Sequence, residues 1–253
     1  MSALTLWPLT AIGEVRPGND LGRLLAEAIG AADLSPQPSD VLVVTQKIVS
    51  KAEGRFVDLA TIHPGPAALE LATATGKDPR FVELVLTESS AVIRTAPNVL
   101  ITRHRSGHVM ANAGIDRSNI GPGSPDRALL LPLDGDASAA RLRAALGVFW
   151  REPPAIVISD SFGRPWRYGV TNVAIGVSGL PSLVDRRGQT DRNGRKLEVT
   201  QVALGDMVAS AAGLLSGEGA EGVPAVLLRG LKWDTPDAPA SALLRPLQED
   251  LFQ

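Results

Sequence analysis

The choice of fold class rests on residues 91–110, whose sequence is AVIRTAPNVLITRHRSGHVM. β-Branched residues recur along this stretch, and the turn Arg105-Ser106-Gly107 interrupts it. Such a pattern is typical of antiparallel strands in a hairpin or meander. Because strand-like and helix-like segments alternate elsewhere in the chain, we expect an α+β fold with mixed or antiparallel sheets, rather than a doubly wound sheet.

The chain on the N-terminal side of this stretch alternates between strands and helices. Asp20 is a suitable N-cap, because its carboxylate can accept a hydrogen bond from the first turn of a helix. Leu21, Leu24 and Ala28 then recur at the spacing of one helix face. We expect strands over residues 4–9 and 41–44, and helices over residues 21–31, 67–74 and 81–86.

The C-terminal side begins with residues 112–134, which are rich in Gly, Pro, Asn and Asp and indicate loops. Residues 234–253 form a polar tail, either a solvated extension or an arm onto a partner subunit. We treat residues 1–253 as one catalytic unit that can comprise two subdomains. Between loop and tail we expect helices over residues 137–146 and 199–215, and strands over residues 155–159, 173–177 and 225–228.

The composition excludes several classes of protein. Of the 253 residues, 44% are hydrophobic and 21% charged, as in ordinary globular proteins, and the net charge of −2 provides no basic field for nucleic acid. The absence of cysteine excludes disulfides and thiolate metal sites. No apolar run reaches the roughly 18 residues that span a membrane, and the N-terminus reads as a strand and not a signal peptide. We therefore expect a cytoplasmic protein without nucleic-acid or membrane partners.

Three stretches of the sequence combine carboxylates with glycine, and a fourth supplies amide and ammonium donors. Asp160 directly follows an apolar strand, where α/β sheets usually bind ligands, and Ser161 adds a hydroxyl of the kind that binds Mg²⁺. Glycines on both sides of Glu218 allow the backbone to approach phosphates. The four stretches are residues 112–119, 158–164, 217–222 and 45–51.

The carboxylate of Glu218 is the feature that indicates a metal ion. A negative side chain in such a loop would repel bare phosphate unless a divalent cation lay between them, and hard oxygen ligands suit Mg²⁺ or Mn²⁺. Each motif also has a purely structural interpretation. Asp160 and Ser161 could form a turn or helix cap, residues 112–116 an Asx turn, and residues 217–219 a helix C-cap.

As an ordered set, the motifs resemble those of the coenzyme F420:L-glutamate ligase family, which builds the γ-linked glutamate tail of a deazaflavin coenzyme. The resemblance extends from about Leu6 to Lys232. The matching stretches are residues 48–55, 112–119, 160–164, 174–179, 191–200, and 217–219 with 222–225.

The resemblance implies a GTP-dependent ligase that uses two divalent ions, Mn²⁺ or Mg²⁺, with K⁺ as a further ion. It implies L-glutamate and coenzyme F420-0 as substrates, an unusual two-part α+β fold and an intertwined homodimer. The metal ligands would be Asp116, Asp160, Ser161 and Glu218. The nucleotide would be bound by Ile12, Gly13, Glu14, Val15, Gln46, Lys47, Lys51, Asn119, Ser216, Gly217, Glu218, Gly219, Ala220, Glu221, Gly222 and Val223.

The implied route transfers the γ-phosphoryl group of GTP to the acceptor carboxylate, and the amine of glutamate then attacks the acyl phosphate. Positioning and charge neutralisation dominate such transfers. The residues with catalytic roles would therefore be Asp116, Asp160 and Glu218, which hold metal ions, and Lys51, which neutralises phosphate charge.

Other interpretations of the sequence remain open. The chain could join a different carboxylate to an amino acid, or bind GTP without turnover. A dehydrogenase fits poorly, because the glycine loop follows a helix and precedes a strand, the reverse of the dinucleotide-binding order. His104 and His108 have the spacing of a zinc pair, but Ser106 and Gly107 between them indicate a turn. Basic residues could bind the acceptor or form a solvated loop, namely Arg186, Arg187, Arg192, Arg195 and Lys196, with Arg164 and Arg167 as similar candidates.

Overall fold

The structure is a computed structural model, and it describes residues 3–123 and 125–250. The described residues contain helices and several sheets, which confirms the mixed α+β class. The helices are α1 Leu21–Ala31, α2 Gln46–Ala52, α3 Pro66–Thr75, α4 Pro79–Thr87, α5 Gly135–Leu146 and α6 Leu204–Ser216. The strands are β1 Thr5–Leu9, β2 Val41–Thr45, β3 Phe56–Asp58, β4 Ser89–Ala96, β5 Val99–His104, β6 Val109–Ala111, β7 Arg127–Leu129, β8 Ala155–Arg164, β9 Arg167–Ser178, β10 Val184–Asp185, β11 Gln201–Val202 and β12 Ala225–Arg229.

A five-stranded mixed sheet, in the order β1-β12-β2-β8-β9, forms the centre of the fold. Strands β2 and β8 run parallel, and the other neighbours in this sheet run antiparallel. Side chains alternate between the faces of a strand, so Leu42 packs with α1 and α5 on one face, while Val43 packs with α6 on the other. Because both faces are covered, β2 and the first half of β8 are apolar at nearly every position.

A second cluster of elements packs beside the central sheet. Strands β4, β5 and β6 form an antiparallel meander, which confirms the prediction for residues 91–110. Helices α3 and α4 cover it and share a separate apolar core, in which Leu59, Val82 and Leu100 are fully buried. Strands β3 and β7 pair with each other in a separate, two-stranded antiparallel sheet.

Several predicted boundaries are confirmed and others are wrong. Helix α1 has the expected bounds, and the carboxylate of Asp20 accepts a hydrogen bond from the Arg23 amide at 3.0 Å. Helix α6 begins at Leu204 and not at residue 199, because Gln201 and Val202 pair with β10 instead. Strand β8 continues to Arg164 as a hairpin with β9, whereas we expected it to end at residue 159.

The C-terminal tail is anchored to its own chain at several points. Arg103 and Asp250 form an ion pair at 2.9 Å. The buried hydroxyl of Ser182 donates a hydrogen bond to the Pro239 carbonyl at 2.5 Å, and Ala240 is buried. Residues 251–253 of the predicted tail lie outside the described residues. Over the described ranges, no helix combines the length and apolar character needed to cross a bilayer.

Candidate active site

A cavity of about 740 Å³ opens where β2 ends and β8 continues past it. Thr45, Ser159, Asp160 and Ser161 form the strand side of its wall. Among the predicted site residues that are described, Asp116 and Glu221 do not line this cavity. The predicted residues that do line it are Ile12, Gly13, Glu14, Val15, Gln46, Lys47, Lys51, Asn119, Asp160, Ser161, Ser216, Gly217, Glu218, Gly219, Ala220, Gly222 and Val223.

Asp160 projects into the cavity from the middle of a strand, so the turn or helix-cap interpretation of Asp160-Ser161 is wrong. It pairs with Val173 of β9, and Ser161 pairs with Asn172. Burial and, next, the negative charge of Asp116 raise the pKa of Asp160 to about 7, against opposing effects of the Ser161 amide and Lys47; Glu218 adds the smallest contribution. Asp116 and Glu218 are therefore close enough to act on the charge of Asp160, although the three residues are far apart in the sequence.

Asp116 lies behind the cavity wall, held by two residues of α2. The Gln46 amide donates to its carboxylate at 2.5 Å, and the Lys47 ammonium lies 2.9 Å away. Its backbone pairs in both directions with that of Leu129 at 2.9 Å. The charge of Asp116 is thus already compensated by the protein, in contrast to that of Asp160.

Helix α2, which we did not predict as a helix, also brings Lys51 to the cavity. Lys51 is 5% exposed, and its ammonium lies 2.7 Å from the Glu14 carboxylate. Glu14 belongs to the irregular segment between β1 and α1, and about half of its side chain remains exposed. Burial of a lysine charge requires such a partner. In this state the protein itself supplies the anion that Lys51 binds.

The glycine loop joins the end of α6 to β12, in the order that the sequence predicts. Gly217 has a φ of 67° and a ψ of −176°, a backbone conformation that essentially only glycine adopts, so this position favours glycine. Glu221 is exposed, and its carboxylate accepts a hydrogen bond from the Gly219 amide of the same loop at 2.8 Å. On the opposite side, the Asn119 side chain donates to the Gly219 carbonyl at 3.0 Å. This contact joins the loop after Asp116 to the glycine loop.

Comparison with known proteins identifies the family of the chain. A sequence profile of the family described as F420-0:Gamma-glutamyl ligase matches residues 10–230. The chain belongs to this family. A coenzyme F420:L-glutamate ligase of Methanopyrus kandleri is 45% identical over 257 residues, which cover 100% of this chain and 99% of the relative. Proteins of the same name from Methanothermobacter thermautotrophicus and Natronomonas pharaonis are 42% and 45% identical, each over 94% of this chain and over 94% and 89% of the relative. The chain is thus a ligase enzyme of this kind.

The metal ligands implied for this F420-0:gamma-glutamyl ligase family member are not gathered around one point. Throughout residues 3–123 and 125–250, no three His, Cys, Asp or Glu side chains form a group that could hold an ion. Asp160, Ser161 and Glu218 line the same cavity, whereas Asp116 is separated from it by its contacts with Gln46 and Lys47. The zinc interpretation of the histidines gains no support, because His104 and His108 both contact the Ser106 hydroxyl within a turn, at 2.7 and 2.8 Å.

Two groups of basic residues lie away from the cavity. Among the described side chains, none of the five basic residues between 186 and 196 lines it, and Arg164 and Arg167 lie at the exposed tip of the β8–β9 hairpin. The basic segment precedes α6, whereas the cavity lies at the end of α6.

The cavity also contains residues that sequence analysis did not identify. Arg117 lines it beside Asn119, and Asn172 faces it from β9. The only sequence signal for Arg117 was its position directly after Asp116. Asn172 could be found only by knowing that it pairs with Ser161 across the hairpin.

Proposed function

We propose that this enzyme joins L-glutamate to the terminal carboxylate of coenzyme F420-0 through an amide bond. The relatives that cover nearly the whole chain carry the name of this activity. The observation in the structure that supports it best is one cavity whose wall carries Asp160, Ser161 and Glu218 together with the glycine loop, where burial and nearby acids raise the pKa of Asp160 to about 7. Repulsion among acids next to a phosphate-binding loop is expected where cations and phosphates bind together.

GTP is the proposed source of energy. The cavity of about 740 Å³ is within the range of ligand sites, and the glycine loop and Lys51 both line its wall. The family resemblance, and not a contact in the structure, favours GTP over ATP. The proposal that residues 12–15 and 46–47 contact the nucleotide has the same basis.

The side chains of the cavity fit divalent ions. Carboxylate and hydroxyl oxygens are the ligands that Mg²⁺ and Mn²⁺ prefer, and Asp160, Ser161 and Glu218 supply them. A positive charge beside Asp160 would offset the burial and the repulsion that raise its pKa. Asp116 would join this set by giving up its contact with Lys47 and binding a metal ion instead. K⁺, which the resemblance also implies, would occupy a further site among oxygen ligands.

The proposed mechanism assigns positioning and charge neutralisation to the chain itself. Lys51 and the amides of the glycine loop hold the phosphates of GTP while the acceptor carboxylate attacks the γ-phosphorus and GDP leaves. The α-amine of glutamate then attacks the acyl phosphate, forms the amide and releases phosphate. When bound, divalent ions neutralise the charge that develops on the phosphoryl oxygens. Among these side chains, none is required as a covalent nucleophile.

A homodimer is proposed on the same resemblance, and one surface supports it. Helix α6 packs one face on the sheet, yet Met207 and Leu214 on its outer face are 60% and 85% exposed. Val170 of the β8–β9 hairpin adds exposed apolar surface. Apolar residues grouped on an outer face are typical of surfaces that a partner covers.

The deciding experiment incubates the purified enzyme with GTP, Mn²⁺, L-glutamate and coenzyme F420-0 and reads the product by mass. We expect GTP-dependent addition of one glutamyl residue, and repeated additions would identify elongation of the γ-linked tail. Asp160→Asn should reduce kcat by at least about a hundredfold, the scale of a lost electrostatic contact in phosphoryl transfer. Exposed Asp33→Asn is the matched control. Tight GTP binding without product would support the non-catalytic alternative, and product only with other acceptors would change the substrate.

A further inference from the structure

The basic residues of the cavity differ in whether they form an ion pair with a carboxylate of the protein. Lys47, Lys51 and Arg117 line it. Lys47 lies 2.9 Å from Asp116, and Lys51 lies 2.7 Å from Glu14. Of these three cations, Arg117 alone has no ion pair with a carboxylate within the part of the chain that the structure describes.

The acids near Arg117 do not neutralise it. Its charge contributes weakly to the lowered pKa of Asp78, but Arg80 already binds that carboxylate through two nitrogens, at 2.7 and 3.2 Å. Inside the cavity, neither Asp160 nor Glu218 forms an ion pair with a basic side chain among the described residues, and burial is the main reason that the pKa of Asp160 is raised to about 7. A substrate carboxylate entering there would be repelled unless a cation met it.

Among the described residues, the guanidinium of Arg117 donates a hydrogen bond through one of its nitrogens only. Its Nη2 donates to the Pro125 carbonyl at 2.8 Å, and its central carbon lies 5.9 Å from the centre of the Phe81 ring. Phe81 is buried at the start of α4, so this contact restricts the side chain. A guanidinium has five donors, and a planar group fixed at one edge is prepared to bind a carboxylate at the other.

We propose that Arg117 binds a carboxylate of the acceptor or of the amino acid, and not the phosphates of the nucleotide. The proposal rests on the proposed function, in which both of these substrates carry carboxylates. The phosphates already have Lys51 and the glycine loop on other parts of the wall. Arg117 instead directly follows Asp116 at the cavity wall, and its guanidinium contacts Pro125 and the Phe81 ring, which belong to neither of those elements. It is therefore assigned as the specificity-determining cation for the acid substrate.

The test compares Arg117→Gln and Arg117→Lys with Arg94→Gln, an exposed arginine of β4 outside the cavity. Binding of GTP with Mn²⁺, of coenzyme F420-0 and of L-glutamate is measured separately by calorimetry, and KM and kcat are measured in the complete reaction. We expect Arg117→Gln to weaken binding of one carboxylate substrate by about tenfold or more, the loss of a charge-assisted hydrogen bond. GTP affinity should not change, Arg117→Lys should be intermediate, and Arg94→Gln should behave as the wild type.

The substrate whose constant changes identifies whether the carboxylate comes from the acceptor or from glutamate. The proposal is wrong if GTP affinity falls while both carboxylate substrates bind normally, or if no constant changes. Direct binding separates this result from the fate of the proposed function. A wild-type enzyme that binds coenzyme F420-0 without turnover would refute ligation, yet a loss of that binding in Arg117→Gln would still support the role of Arg117.

Discussion

Asp160 and Asp116 carry the same carboxyl group in different electrostatic surroundings. The pKa of Asp160 is raised to about 7, because burial and two nearby acids oppose its charge. Asp116 is held by an amide and an ammonium at 2.5 and 2.9 Å. An added cation would therefore stabilise the charge of Asp160 most, whereas at Asp116 it must compete with Lys47. This difference makes Asp160 the more sensitive residue for a test of metal binding.

Substitution of Glu14 by Gln tests whether its carboxylate competes with phosphate for Lys51. The Glu14–Lys51 contact of 2.7 Å must be replaced if a phosphate binds the same ammonium. We expect Glu14→Gln to bind GTP about 1.4- to fivefold more tightly, the factor for a partly exposed ion pair worth about 0.2–1 kcal/mol. Isothermal titration with GTP and Mn²⁺ measures this change.

The control for Glu14→Gln is the same substitution in a Lys51→Met background. If Glu14 acts through Lys51, the gain in affinity disappears in the double variant. An equal gain in both backgrounds would indicate a general charge effect of removing an acid from the cavity. Weaker binding in Glu14→Gln would instead show that Glu14 positions Lys51, and would contradict the competition.

At the scale of single residues, the sequence predicted which side chains to examine but not their contacts. Asp160 and Glu218 were found from glycine and strand patterns that are local in the chain. The engagement of Asp116 by Gln46 could not be predicted, because it joins residues 70 positions apart. The guanidinium of Arg117 was missed for the same reason, since it depends on Pro125 and Phe81 lying beside it.

At the scale of elements, local spacing predicted helices well where packing agreed with it. Helix α1 has the predicted bounds because its apolar face and its Asp20 cap are both local features. Residues 199–203 also have helical spacing, yet Gln201 and Val202 pair with β10, a contact that overrides local preference. Strand β8 is longer than predicted because pairing with β9, and not apolar sequence, sustains its second half.

The packing of the meander against β8 predicts a pH dependence of folding. His108 packs against the ring of Phe162 with centroids 6.0 Å apart. Burial and the nearby His104 lower the pKa of His108 to about 4, against a smaller opposing effect of Asp136. Since unfolding returns this pKa to about 6.5, the unfolded state binds the extra proton between these values. The free energy of unfolding should therefore fall as the pH drops from 6.5 to 4, by up to about 1.4 kcal/mol per pH unit.

Urea unfolding of the wild type and of His108→Gln at pH 7, 6, 5 and 4.5 measures this contribution. We expect the variant to lose stability less steeply over this range, whatever its stability at pH 7. If the free energy of unfolding falls equally with pH in the wild type and the variant, groups other than His108 cause the acid sensitivity.

The contact between α5 and β9 predicts that Gly176 does not tolerate a larger residue. A Cβ on Gly176 would collide with the backbone carbonyl of Gly135, at the first residue of α5. Backbone cannot move aside as a side chain does, so Gly176→Ala should destabilise the fold by about 1–3 kcal/mol. Gly163→Ala in β8 is the matched control, because a Cβ there meets nothing within 4 Å. Equal melting temperatures of the two variants would refute the contact.

At the scale of the whole molecule, the fold class was predictable and the topology was not. Hairpin signals beside βα units were enough for the α+β class. The order β1-β12-β2-β8-β9 depends on pairings such as Thr5 with Arg229, which join opposite ends of the chain. No local pattern encodes such a pairing, although it places the ends of β2 and α6 around one cavity. Packing of the whole chain therefore creates the site that the motifs only suggested.

Assembly is the property of the whole molecule that remains to be tested, and α6 provides the test. Met207 and Leu214 lie on its exposed face, and their burial against a second copy would favour a dimer. We expect light scattering to give the wild type twice the mass of one chain, and Met207→Asp with Leu214→Asp to give a monomer, because a buried interface excludes unpaired carboxylates. Val148→Asp is the control, since Val148 is 83% exposed just after α5. A monomeric wild type would refute the dimer, and a dimer that survives both substitutions would show that another surface, such as the outer face of the β4–β6 meander, forms the interface.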